Sequence, residues 1–154
     1  MPTDIGNAYL GAEAKLYYNA GTYGSPTWTL MENVTDVDIP DSRTEVEAPV
    51  RAQWPVVGHL PGKQKISLTW NGLKTKSTTD AVTTAMITKY EAGTVTEFTI
   101  ADGLIATTGA KYRRLTCIIS KADENQPLDS PVGCAFAATP AVNNAGNNPS
   151  RTTT

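Results

Sequence analysis

The sequence has little of what enzymes and metal centres are built from. It holds one histidine, His59, and two cysteines, Cys117 and Cys134, in 154 residues. A zinc site of Cys and His ligands needs about four such donors, so that class is short of ligands. No serine sits between glycines as in a hydrolase nucleophile elbow, and the glycines occur singly, never as a loop that cradles phosphate. Charged residues reach only 18%, below the ordinary quarter of a globular chain, and nothing resembles a basic nucleic-acid patch. No stretch approaches the roughly 18 apolar residues of a membrane-spanning helix, so no membrane is expected as a partner. Residues 1–7 carry neither a basic region nor an apolar run, which predicts no secretory leader. Without one, the two thiols are expected to be buried and free rather than joined.

What fills the gap is threonine, glycine (12) and proline (10), a composition that favours strands and turns over helices. A 16.4 kDa chain fits one domain. Its net charge of −2 is unevenly spread: residues 1–62 carry eight acids against three bases, residues 63–154 seven acids against ten bases. Opposite signs on the two halves favour head-to-tail association of copies, unless the split is chance.

The chain is organised around residues 28–71. They read as two acidic strands (28–39 and 43–50), a long loop (51–63) and a third strand (64–71) in which Ile66, Leu68 and Trp70 share one face. In the first strand the apolar residues switch from even positions (Trp28, Leu30) to odd ones (Val37, Ile39). A period of two cannot do that without a bulge or break, expected near Val34–Thr35. Pro40, Asp41 and Ser42 read as a turn. Upstream, Ala12, Ala14, Leu16 and Tyr18 alternate with Glu13, Lys15 and Tyr17, predicting a half-buried strand. Downstream, Val82, Ala85, Met86 and Tyr90 give a helical face over about 78–92, with Ser77 and Asp80 as capping signals and Gly93 as the stop. Strands are predicted again at 95–101, 111–121 and 132–138; pairing of the last two would turn both cysteines inward. The tail from Thr139 is expected to be disordered in a free monomer. The predicted class is mainly β: an antiparallel sandwich or open barrel with one flanking helix.

Three clusters bear on function. Glu32, Asp36, Asp38, Asp41, Glu45 and Glu47 have only Arg43 among them. They read as a solvated strand face, with an acid–base pair or a calcium site on Asp36, Asp38 and Asp41 as alternatives. The loop holds Arg51, Gln53, Trp54, His59 and Lys63. A long loop with a Trp and an Arg is suited to contact. Trp54 could anchor in a neighbouring copy, fold back on its own sheet, or stack on a small molecule such as a sugar. Adjacent Arg113 and Arg114 point to opposite strand faces, which argues against a joint phosphate clamp and favours a salt bridge between subunits. No cofactor and no catalysis are expected.

The order of these features resembles the major tail tube proteins of long-tailed bacteriophages. The likeness covers about residues 9–138. It rests on the early strand 11–18 (GAEAKLYY), the run 28–37 (WTLMENVTDV) leading into an acidic strand, the Arg-containing loop, the strand 62–70 (GKQKISLTW), and the helix that follows. The resemblance implies hexameric rings whose inner strands join into one continuous β-barrel, and stacking of those rings into a hollow tube. It implies that residues 48–63, with Arg51, Gln53, Trp54, His59 and Lys63, reach the adjacent ring. Residues 1–8 and 139–154 would act as arms on neighbours. The partners implied are further copies, other tail proteins, and DNA passing through the lumen without specific binding. The location implied is the virion tail, after synthesis in the host cytoplasm. Because a DNA conduit should repel phosphate, some of Asp36, Asp38, Glu45 and Glu47 are expected to line the lumen. The competing reading is a carbohydrate- or protein-binding β-sandwich that uses Trp54.

Overall fold

The computed structural model describes residues 14–48, 58–75, 80–141 and the backbone of 150–153. In chain order the elements are β1 (Lys15–Asn19), β2 (Trp28–Leu30), β3 (Val34–Asp38), β4 (Asp41–Ala48), β5 (Gly58–Ile66), β6 (Leu68–Leu73), α1 (Ala81–Ala92), β7 (Val95–Ala101), β8 (Lys111–Asn125), β9 (Gly133–Pro140) and β10 (Ser150–Thr153). Seven strands form a path β2-β1-β7-β8-β9-β6-β3, β10 adds to β8, and β4-β5 is a separate two-stranded ribbon. Each recorded pairing is antiparallel.

β2 and β3 are consecutive in sequence yet lie at opposite ends of that path. Only residues 31–33 join them, four Cα steps that span at most about 14 Å. The sheet must therefore roll until its two ends nearly meet. The linking residues step across the seam: Met31 N–H donates to Leu16 O on β1 (2.9 Å), while Leu73 N–H of β6 donates to Asn33 O (2.9 Å). The result is a rolled, unclosed antiparallel sheet with one helix, within the predicted class of antiparallel sandwich or open barrel. The core lies inside the roll. Trp70 packs on Phe136 (5.2 Å between centroids) and Phe98 (5.0 Å), with Leu68, Leu115, Cys117 and Ile119 around them. Met86 of α1, wholly buried, faces the same cluster. Burying each of these large side chains is worth roughly 1.5–3 kcal/mol against leaving it in water.

α1 begins at Ala81, and Asp80 is its cap: its carboxylate accepts from Thr83 N–H (3.1 Å) and Thr75 N–H (2.9 Å). Ser77 lies outside the described residues. Gly93 closes the helix at φ 62°, a left-handed conformation that glycine adopts without strain. Thr83 and Met86 are buried, and Val82, Ala85 and Ile87 pack against the core beside them, while Tyr90 stays exposed, so the inward face is the expected one shifted towards the start of the helix.

Several expectations change. The strand predicted over 28–39 is two strands, β2 and β3, and the bulge falls where parity requires it, with Thr35 extra between Val34 and Asp36. Tyr17 is buried rather than solvated, because residues 102–110 fold against its side of the sheet and Ile105 N–H reaches its hydroxyl (3.3 Å). Pro40 is not a reversal. Asp38 opposes Thr69, Ser67 N–H donates to Pro40 O (3.0 Å), and Asp41 opposes Ile66, so the register runs straight through a kink from β3–β6 into β4–β5. Proline is tolerated there because a bend between strands needs no further ladder donor. Residues 58–63, read as loop, belong to β5, held by cross-strand pairing with β4. Of the tail, residues 139–140 end β9 and Ser150–Thr153 pair with β8 as β10. Both thiols are buried and free. Cys117 opposes Pro140 and Cys134 opposes Glu124, several residues apart along the ladder.

Candidate assembly surfaces

Cross-strand partners share a sheet face, so the outer surface of the roll can be read from the register. Asp36, Asn71, Ala135 and Asp123 form one row across β3, β6, β9 and β8; Asp38, Thr69, Ala137 and Lys121 form the next. This four-stranded wall is polar and built of small side chains, and its Lys121 and Asp123 pair at 2.7 Å. Among the described residues both margins are open. β3 ends the sheet, and β7 stops at Val95 opposite Ile118, so no described strand pairs with the far edge of residues 120–125.

The β4–β5 ribbon leaves the body at Pro40 and Ser67. Ser42–Glu47 and most of β5 are exposed. Its pleat separates the acids. Glu45 and Glu47 oppose Pro61 and His59, and His59 Nδ1 lies 3.7 Å from Glu45 Oε2. The other face carries the cross-strand apolar pair Val46 and Leu60, 55% and 58% exposed. A bulge near Thr44 is fixed by Gly62, whose absent Cβ would lie 2.6 Å from Thr44 O. Because the register is continuous from Asp36 to Arg43, Asp36 and Asp38 lie on the opposite face from Asp41, Glu45 and Glu47. The four lumen candidates thus form two pairs, not one wall, and the calcium trio is split as well. Of the loop residues, His59 and Lys63 sit in β5; Arg51, Gln53 and Trp54 lie outside the described residues.

The other half of the outer surface is covered. Glu97 of β7, 7% exposed, accepts from Arg114 Nε (2.9 Å) and Nη2 (2.8 Å) and from Asn19 Nδ2 (2.7 Å). Arg114 also donates to Tyr23 O (2.7 Å) and stacks 3.9 Å above the Tyr23 ring. Asn19 Oδ1 in turn accepts from Gly21 and Thr27 N–H (2.8 and 2.9 Å), which shapes the β1–β2 turn. The two arginines do take opposite faces: Arg113 bonds Asp41 (2.7 Å) on the core side. Both partners are within the chain, which corrects the expected bridge between subunits. Sequence reading missed the Glu97 network; a lone carboxylate inside the apolar strand Val95–Ala101 was the available signal.

This arrangement recurs in solved tails. The chain superposes on a subunit of the SPP1 tail tube with a TM-score of 0.73 at 11% identity, covering 96% of this chain and 80% of that one. The fold is that of a tail tube subunit. The same fold appears in the tail of an empty gene transfer agent particle with C6 symmetry (TM-score 0.69, 15% identity, 96% and 99% covered). It appears again in the anti-feeding prophage baseplate (0.63, 5% identity, 96% and 97% covered). No protein-family model and no curated protein matches the sequence. The fold is thus shared at 5–15% identity, as expected when period-two patterning specifies a sheet and many side chains satisfy it.

Proposed function

We propose that this chain is a structural virion protein that self-assembles into stacked hexameric rings forming a tail tube, a conduit through which DNA leaves the particle. The observation that carries the reading is the four-stranded wall with two open margins. β3 and β8 run in opposite directions, because three antiparallel steps separate them. The β3 edge of one copy therefore meets the β8 edge of the next in antiparallel register. An even number of strands per copy lets that junction repeat and close a ring, which removes every exposed edge. The wall's outer face becomes the lumen. Asp36 and Asp38 lie on it and repel phosphate, the one lysine of those rows, Lys121, is paired with Asp123, and Asn71, Thr69, Ala135 and Ala137 carry no charge. Glu45 and Glu47 belong instead to the ribbon, which reaches the adjacent ring with His59, Lys63 and residues 51–54. The subunit is made in the host cytoplasm and works without catalysis.

The test pairs Thr35→Cys on β3 with Asp123→Cys on β8. Purified protein should form hollow tubes under negative stain, and oxidation should link copies into a ladder ending at six. A concentrated sample that stays monomeric, or tubes that never cross-link, would overturn the reading.

A further inference from the structure

We propose that Arg113 is the residue that sets the direction of the β4–β5 ribbon; the consequence for stacking rests on the tube reading above. A two-stranded ribbon is marginally stable alone; among the described residues no further strand pairs with either edge of this one, and its side chains are mostly exposed. Its orientation has to be fixed at its base. Asp41, the first residue past the Pro40 kink, stands at that base. One carboxylate oxygen, Oδ2, accepts from Arg113 Nη2 of β8 at 2.7 Å; the other, Oδ1, accepts from Gln64 Nε2 of β5 at 2.7 Å. Asp41 therefore ties both strands of the ribbon to a strand of the body 72 residues away in sequence. The tie crosses the core side of the roll, beside buried Ile66, which opposes Asp41 in the ladder.

Asp41 as a residue is exposed, but the two side chains are only 17% and 28% exposed, and the Nη2–Oδ2 bond between them is charge-assisted. Without it, the ribbon retains its own ladder but swings about Pro40 and Ser67. Ring stacking needs six ribbons presented at one angle, so loose ribbons dock slowly and with the wrong register.

Hydrogen exchange on the free subunit tests the hinge directly. In Arg113→Ala, the amides of residues 42–45 and 63–66 should exchange about tenfold faster while those of β7 keep their protection. Arg113→Lys, which keeps the charge but not the fork, should recover part of the protection. Tube growth by light scattering should slow in the same order. If Arg113→Ala fails to fold, Asp41→Asn gives the same comparison with a smaller change. Unchanged ribbon exchange overturns the hinge, and loosened ribbons that still stack at the normal rate overturn its role in assembly. Wild-type protein that never forms tubes sinks the tube reading instead and leaves the exchange result standing.

Discussion

Arg114→Ala should be among the most damaging single polar substitutions in the subunit. The change strands Glu97, which is 7% exposed and loses two of its three side-chain donors, keeping only Asn19. Removing one member of a buried ion pair typically costs about 3–5 kcal/mol. Arg114 retains 17% side-chain exposure, so water re-enters part of the gap and the lower end applies. The lost stacking on Tyr23 adds about 0.5–1 kcal/mol. A total near 3–4 kcal/mol corresponds to a fall in Tm of roughly 10 °C for a chain of this size. Urea unfolding followed by tryptophan fluorescence on the free subunit measures it. Glu97→Gln should cost less on its own and should partly rescue Arg114→Ala, giving a coupling of about 1–2 kcal/mol in the double-mutant cycle. A loss below 1 kcal/mol for Arg114→Ala, or strict additivity in the cycle, would refute the claim that this cluster pins the β1–β2 turn.

The remaining predictions follow the same physics. Burial opposes the charge on Asp80, but the N–H groups of Thr75 and Thr83 outweigh it, and the carboxyl stays below its ordinary value of 3.8. A depressed pKa means that the stabilisation is complete above the unfolded carboxylate range and is lost as pH falls through the folded value. Asp80→Ala should therefore cost about 1 kcal/mol at pH 7 and progressively less under acid, read from urea midpoints. Burial pushes the Cys117 thiol up to about 12 and raises Cys134 as well, so a thiol reagent at pH 8 should label neither until the subunit unfolds. Asp36→Lys with Asp38→Lys should leave tubes intact and slow DNA ejection; unchanged ejection kinetics would remove these acids from the lumen. Deleting residues 53–61 should leave a folded subunit that makes no tubes, and tubes of normal length from that variant would move ring stacking elsewhere.

Local pattern alone determined a great deal of this protein. Period-two runs placed β1, β6, β7, β8 and β9 within a few residues, the parity switch located the Thr35 bulge, and the 3.6-residue spacing found α1 and its Gly93 stop. These follow from backbone geometry that each segment carries by itself. What only the tertiary structure decided is anything that depends on a partner distant in sequence. Pro40 looked like a turn because its neighbours are turn formers; the ladder with β6 and β5 made it a kink in one ribbon. Arg113 and Arg114 could be assigned to opposite faces, but not to Asp41 and Glu97, since those contacts arise when the sheet rolls. The acids around residue 40 read as one cluster in the sequence. Continuous register from Asp36 to Arg43 divides them between two faces, because strand parity is local while the identity of a face is set by what the rest of the sheet encloses.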